Sequence, residues 1–104
     1  MIEREFGLPD TTLATVRAIL AAEPKVETAI VYGSRAKGNY KPGSDIDLTL
    51  TGTDLDYSAL ASLAGELDES SIPYKVDLSI LDRISNPSLV EHIQRVGKVF
   101  YRRM

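Results

Sequence analysis

Residues 26–50 read VETAIVYGSRAKGNYKPGSDIDLTL, and the order of residue types within them decides how the rest of the chain must fold. Val26 to Tyr32 is rich in β-branched and aromatic residues and stops at Gly33, the pattern of a strand with a sharp end. Gly33 to Gly43 holds three of the seven glycines together with Pro42, so this stretch is a loop, and GSRAKG at its start reads as the first turn of a small helix. From Asp45 to Thr51 the residues alternate. Ile46, Leu48 and Leu50 fall on one face and Asp45, Asp47 and Thr49 on the other, which predicts a half-buried strand carrying acids.

Working outward, Leu13, Val16, Ile19 and Leu20 form an apolar stripe that predicts a helix from Asp10 as N-cap, ended by Pro24. A further helix is expected over 56–68, with Leu60, Leu63 and Leu67 on its packing side. In Tyr74 to Ile80 the apolar set is Val76, Leu78 and Ile80, while Lys75, Asp77 and Ser79 point the other way. Pro87 opens a last helix whose Leu89, Val90, Ile93 and Val96 face the core, with Lys98, Arg102 and Arg103 as a basic end that complements its dipole. The order is αβ(loop)βαβα. If Gly33 at the end of one strand meets Asp45 at the start of the next, those strands run antiparallel, whereas the helical link to Asp77 suits a parallel crossover. The expected fold is α/β (α+β), a small mixed sheet with helices packed on one face and the aspartate face left open as a cleft.

Composition narrows the chemistry. A chain of 104 residues, 43% hydrophobic and 26% charged, is expected to form one domain over 1–104. With no cysteine and one histidine, thiolate zinc sites, iron–sulfur clusters, cysteine nucleophiles and multi-histidine metal sites are excluded. The start MIEREFGLPD has no apolar signal core, and no run approaches the roughly 20 residues that span a bilayer, so a cytoplasmic location without membrane contact is expected. A net charge of −3 argues against direct nucleic-acid binding over the whole surface.

Asp45 and Asp47 stand two residues apart on a strand, project from one face and repel each other unless a cation lies between them. Alone, such a pair in an amphipathic strand is more often a solvated face. The neighbourhood changes that reading. Magnesium takes oxygen ligands at about 2.1 Å, keeps waters and shares substrate phosphates, so two or three carboxylates suffice, and Asp77 supplies the third. Eleven residues before Asp45, Gly33-Ser34 follows a strand, where glycine lets backbone approach an anion and serine offers a hydroxyl. The loop adds Arg35, Lys37 and Lys41 with no acid before Asp45. Gly33 and Gly38 have Walker A spacing, but Asn39 and Tyr40 occupy the Lys and Ser/Thr positions, which excludes P-loop chemistry. No G-x-G-x-x-G follows a strand, which excludes the dinucleotide fingerprint. His92, beside the apolar positions of the last helix, is read as structural or surface. Tyr40 is left open between a nucleobase stack and an exposed loop aromatic.

The segment GSRAKGNYKPGSDIDL with the later KVDLSI resembles the minimal nucleotidyltransferases of the DNA polymerase β superfamily, from about residue 26 to 100. The family's Gly-Ser, Asp-x-Asp and third acid fall on Gly33, Ser34, Asp45, Asp47 and Asp77, while its common GSRARG is GSRAKG here, with Lys37 for an arginine. The resemblance implies a magnesium-dependent transfer of a nucleoside monophosphate, AMP from ATP, to an acceptor hydroxyl. It places two Mg2+ ions on Asp45, Asp47 and Asp77, the β- and γ-phosphates on Gly33 and Ser34, and leaving-group charge beside Arg35 or Lys37. It also implies a context: an antitoxin paired with a HEPN-type toxin that it modifies on a tyrosine. A non-catalytic antitoxin or regulatory module of the same fold, and a subunit of a small-molecule nucleotidyltransferase, stay open, as does a homo-oligomer.

Overall fold

A computed structural model describes residues 4–104. Among them lie α1 (Asp10–Ala21), β1 (Thr28–Tyr32), the single-turn α2 (Ser34–Lys37), β2 (Ile46–Thr51), α3 (Tyr57–Glu69), β3 (Val76–Ile80), α4 (Pro87–Val96) and β4 (Lys98–Arg102), with short 3-10 turns at Glu5–Gly7 and Leu81–Arg83. The four strands form one mixed sheet in the order β3-β2-β1-β4. β1 runs antiparallel to β2 with Tyr32 opposite Asp47, and β2 runs parallel to β3 with Asp47 opposite Asp77. The expected antiparallel and parallel pairings are both present.

One face of the sheet carries the core. Thr12, Leu13, Val16 and Leu20 of α1 and Ala59, Leu63 and Leu67 of α3 recur at helical spacing and are buried. They join Ala29, Val31, Ile46, Leu48 and Leu50, which alternate along β1 and β2 and are buried in the same cluster. α1 starts one residue earlier than expected: Asp10 is its first residue, Pro9 its N-cap, and no side chain caps it. α3 is capped by Asp56, which accepts the Ala59 N–H at 2.8 Å. That N–H, and secondarily Lys25 at 3.6 Å, holds the Asp56 carboxyl below its ordinary range. A carboxylate lowered in the folded state adds stability above its unfolded range and loses it as pH falls through the folded value. Asp56→Ala is therefore expected to lower Tm at neutral pH, with the gap to the native chain closing in acid; thermal melts across pH check this.

The end of the chain differs from the sequence-based expectation. Gly97 N–H bonds the Ile93 carbonyl at 2.8 Å and closes α4, after which Lys98–Arg102 pairs with β1 as an edge strand. Gly97 is required there, because a Cβ would strike the Ile93 carbonyl oxygen and lie 2.8 Å from Ile30 Cγ2. Lys98, Arg102 and Arg103 thus do not complement the dipole of the last helix. Arg103 instead donates to the carbonyls of Ala21, Glu23 and Val26 at 2.7–3.1 Å, serving the C-terminal end of α1. α4 itself is on the other side of the sheet: Ile93 is buried outside the main cluster, and Gly97 abuts Ile30, which shares the aspartate face. No described helix is long and apolar enough to cross a membrane.

Candidate active site

The strand registers bring the acids together. Tyr32, Asp47 and Asp77 lie side by side on β1, β2 and β3, and Asp45, two residues before Asp47, is exposed at the lip. Asp47 is half-buried. Burial first, then the charges of Asp77 and Asp45, pushes its carboxyl above the usual carboxylate range. Asp77 is exposed, with Oδ1 3.8 Å from Lys75 Nζ. The Tyr32 phenol is raised by burial, and the Asp47 and Asp77 carboxylates push the same way. Next along this face stand Thr49 and Ser79, in register, their hydroxyls buried without a hydrogen-bond partner among the described residues.

Among the described residues, no three acidic or histidine side chains close into a ready metal cage. The donor set nevertheless fits a hard divalent cation: carboxylates only, facing one another across paired strands, one of them raised by burial and then by the charge of the others. Magnesium retains waters and takes substrate oxygens, so an open pair with a third acid nearby suits it better than a closed cage would.

Gly33 joins the phosphate turn to the acids. Its φ of 72° and ψ of −153° belong to a region open essentially to glycine alone, and a Cβ there would lie 2.5 Å from Asp47 Oδ2. Ser34 opens α2 beside it, and at the ends of this turn Lys37 N–H donates to the Gly33 carbonyl and Gly38 N–H to the Ser34 carbonyl. Gly33 thus stands directly against Asp47.

The two basic residues are placed elsewhere. Arg35, expected beside the phosphates, is 2% exposed. Its guanidinium donates to the Ser44 carbonyl at 2.9 and 3.2 Å, to Phe6 at 3.0 Å and to Pro42 at 3.3 Å. It also sits 5.0 Å from the ring centroids of both Tyr40 and Tyr74. The fork that would have gripped phosphate instead clasps the 38–45 loop and so sets where Asp45 stands. Tyr40 is engaged by that contact. Lys37 is exposed and lines an open groove of about 620 Å³ with Arg4, Phe6, Tyr40 and Lys98, on a wall that does not include the aspartates.

The site also contains His92, which the sequence reading set aside, and Tyr32, which it used only to mark a strand end. His92 Nε2 accepts the Gly33 N–H at 3.3 Å, and its ring meets Tyr32 edge-on with centroids 6.2 Å apart. Alternation along β1 could have singled out Tyr32, the last residue before Gly33. Nothing local marks His92, because only the passage of α4 across the aspartate face brings it there.

Comparison with known proteins identifies relatives of this fold. Residues 14–104 match the profile of the family described as Polymerase beta, Nucleotidyltransferase. A Haemophilus influenzae protein named "Probable protein adenylyltransferase MntA" is 39% identical over 75 residues, which are 71% of this chain and 66% of that protein's length. A crystal structure of a toxin–antitoxin pair with AMP-PNP is similar at TM-score 0.71 and 26% identity, over 88% of this chain and 74% of the matched one. The fold is also that of the MNT antitoxin in complex with a tri-AMPylated Shewanella oneidensis HEPN toxin, at TM-score 0.66 and 24% identity, over 89% and 71% of the two chains.

Proposed function

Because the chain belongs to the polymerase β nucleotidyltransferase family, we propose that it transfers AMP from ATP to a hydroxyl of a HEPN-type toxin, a tyrosine, and thereby acts as the toxin's antitoxin. The carrying observation is the registered pair Asp47 and Asp77 with the Gly33 turn built directly against Asp47. The AMP-PNP complex and the AMPylated toxin among the solved relatives support the nucleotide and the partner.

In this reading the Gly33 turn seats the β- and γ-phosphates through the Ser34 backbone N–H and hydroxyl, the Gly33 N–H being held by His92. Asp45, Asp47 and Asp77 would hold the divalent ions, with Asp77 serving the acceptor. When bound, Mg2+ neutralises the triphosphate and lowers the pKa of the attacking hydroxyl. The acceptor oxygen bonds to the α-phosphorus as the bond to the β-phosphate oxygen breaks, and pyrophosphate leaves with that electron pair. Asp77, exposed on the edge strand β3, would receive the proton from the acceptor, and a protein hydroxyl would approach within about 3–3.5 Å of the α-phosphorus from that side, α4 packing against β1. Arg35 contributes by holding the loop that carries Asp45.

Docking and chemistry are separable. Asp77→Asn removes a metal ligand and little contact area, so it is expected to bind the toxin as the native chain does while leaving it unmodified and active. The check is toxin activity and intact mass after incubation with ATP and magnesium, denaturing removal of the smaller chain and refolding. If the variant silences the toxin as fully as the native chain, with no added nucleotide in either case, this protein works as a non-catalytic binding module.

A further inference from the structure

α4 contributes one contact that neither the acid pattern nor the loop pattern requires. The Gly33 N–H points at His92 Nε2, 3.3 Å away, on the side of the turn covered by α4. Accepting at Nε2 places the neutral ring's proton on Nδ1. The same ring packs edge-on against Tyr32 at an interplanar angle of 81°, so the residue before the turn and the turn itself are held by one side chain. Gly33 has little freedom to respond otherwise. Its backbone is in a glycine-only region, and Asp47 Oδ2 occupies the space where a Cβ would be. A buried or half-buried amide left without an acceptor is costly, so the conformation of this turn depends on what α4 presents to it.

We propose that His92 is a positioning residue for the nucleotide: its Nε2 fixes the Gly33 peptide, and through it the placement of Ser34 and the wall against Asp47. This rests on the reading of Gly33-Ser34 as the triphosphate seat and adds the element that holds that seat in shape. Ile93, the next residue, is buried, and Gly97 abuts Ile30, so α4 is anchored beside the contact and one turn beyond it, and His92 is presented from a packed helix.

The test uses the full chain. His92→Phe keeps a ring against Tyr32 but removes the acceptor, whereas His92→Gln offers a carbonyl oxygen at similar reach. His92→Phe is expected to raise KM for ATP roughly tenfold with kcat changed less than about threefold, and to speed exchange of the Gly33 amide proton seen by NMR. His92→Gln is expected to return both KM and exchange to within about threefold of the native values. A merely structural role would move stability without this split or this rescue. Native KM and native Gly33 protection in His92→Phe would overturn the proposal, as would equal impairment of both variants. Should His92→Phe fail to fold, the nitrogen shifts of His92 in the native chain decide: an unprotonated Nε2 supports the contact, and a protonated one refutes it. A native chain that does not bind Mg–ATP would overturn the functional reading instead, while Gly33 exchange in the variants would still report whether His92 holds the turn.

Discussion

Asp47→Asn is expected to cut nucleotidyl transfer by about 10²–10³-fold or more, the order lost when one electrostatic element of a transition-state site is removed, while raising the Tm of the metal-free chain. Both effects have one cause. Burial and the nearby charges of Asp77 and Asp45 raise the Asp47 carboxyl above its ordinary range, so its ionised form is disfavoured in the folded state. A carboxylate raised on folding costs stability at neutral pH, and that cost is relieved as pH falls through the folded value. The gain from Asp47→Asn should therefore be largest near neutral pH and shrink in acid. Mg–ATP should raise the Tm of the native chain and not that of the variant, since a ligand stabilises only what it binds. Thermal melts with and without Mg–ATP, alongside a transfer assay, check all three. Unchanged transfer, or an equal Mg–ATP shift in both chains, would remove Asp47 from the site.

Arg35→Lys is expected to destabilise the chain by about 2–4 kcal/mol, because an ammonium cannot reach three carbonyls at once and a buried carbonyl left unsatisfied is costly. Arg35 is 2% exposed, bonded to the carbonyls of Phe6, Pro42 and Ser44, and stacked near Tyr40 and Tyr74. Transfer should fall as well, through loosening of the loop that places Asp45. The measurement is the urea midpoint together with KM for ATP. A variant within about 0.5 kcal/mol of native stability but with a much higher KM would return Arg35 to the phosphates, the role implied by the family resemblance.

Along the chain, legibility followed the range of the forces involved. The alternation in IDLTL, the β-branched run before Gly33 and the helical stripe of Leu13, Val16 and Leu20 are local patterns, so the strands and helices they predict are present, with ends shifted by one or two residues. The short edge strand at Lys98–Arg102 was not legible. Its charged residues read as a helix end, and only pairing with β1 makes it a strand.

What the sequence by itself determined is the set of acids and the turn beside them, because strand alternation places Asp45, Asp47 and Asp77 on polar faces and Gly33 needs only its own backbone to mark a sharp end. The tertiary structure decided what surrounds them. Arg35 and Lys37 are two residues apart in a basic loop, yet one is buried among carbonyls and the other is exposed, a difference set by where the Glu5–Gly7 turn and Tyr74 come to rest against the loop. His92 is 59 residues from Gly33 and reaches it only because α4 crosses the aspartate face instead of joining the main core. Contacts of that separation depend on how whole elements pack, and no local periodicity carries them.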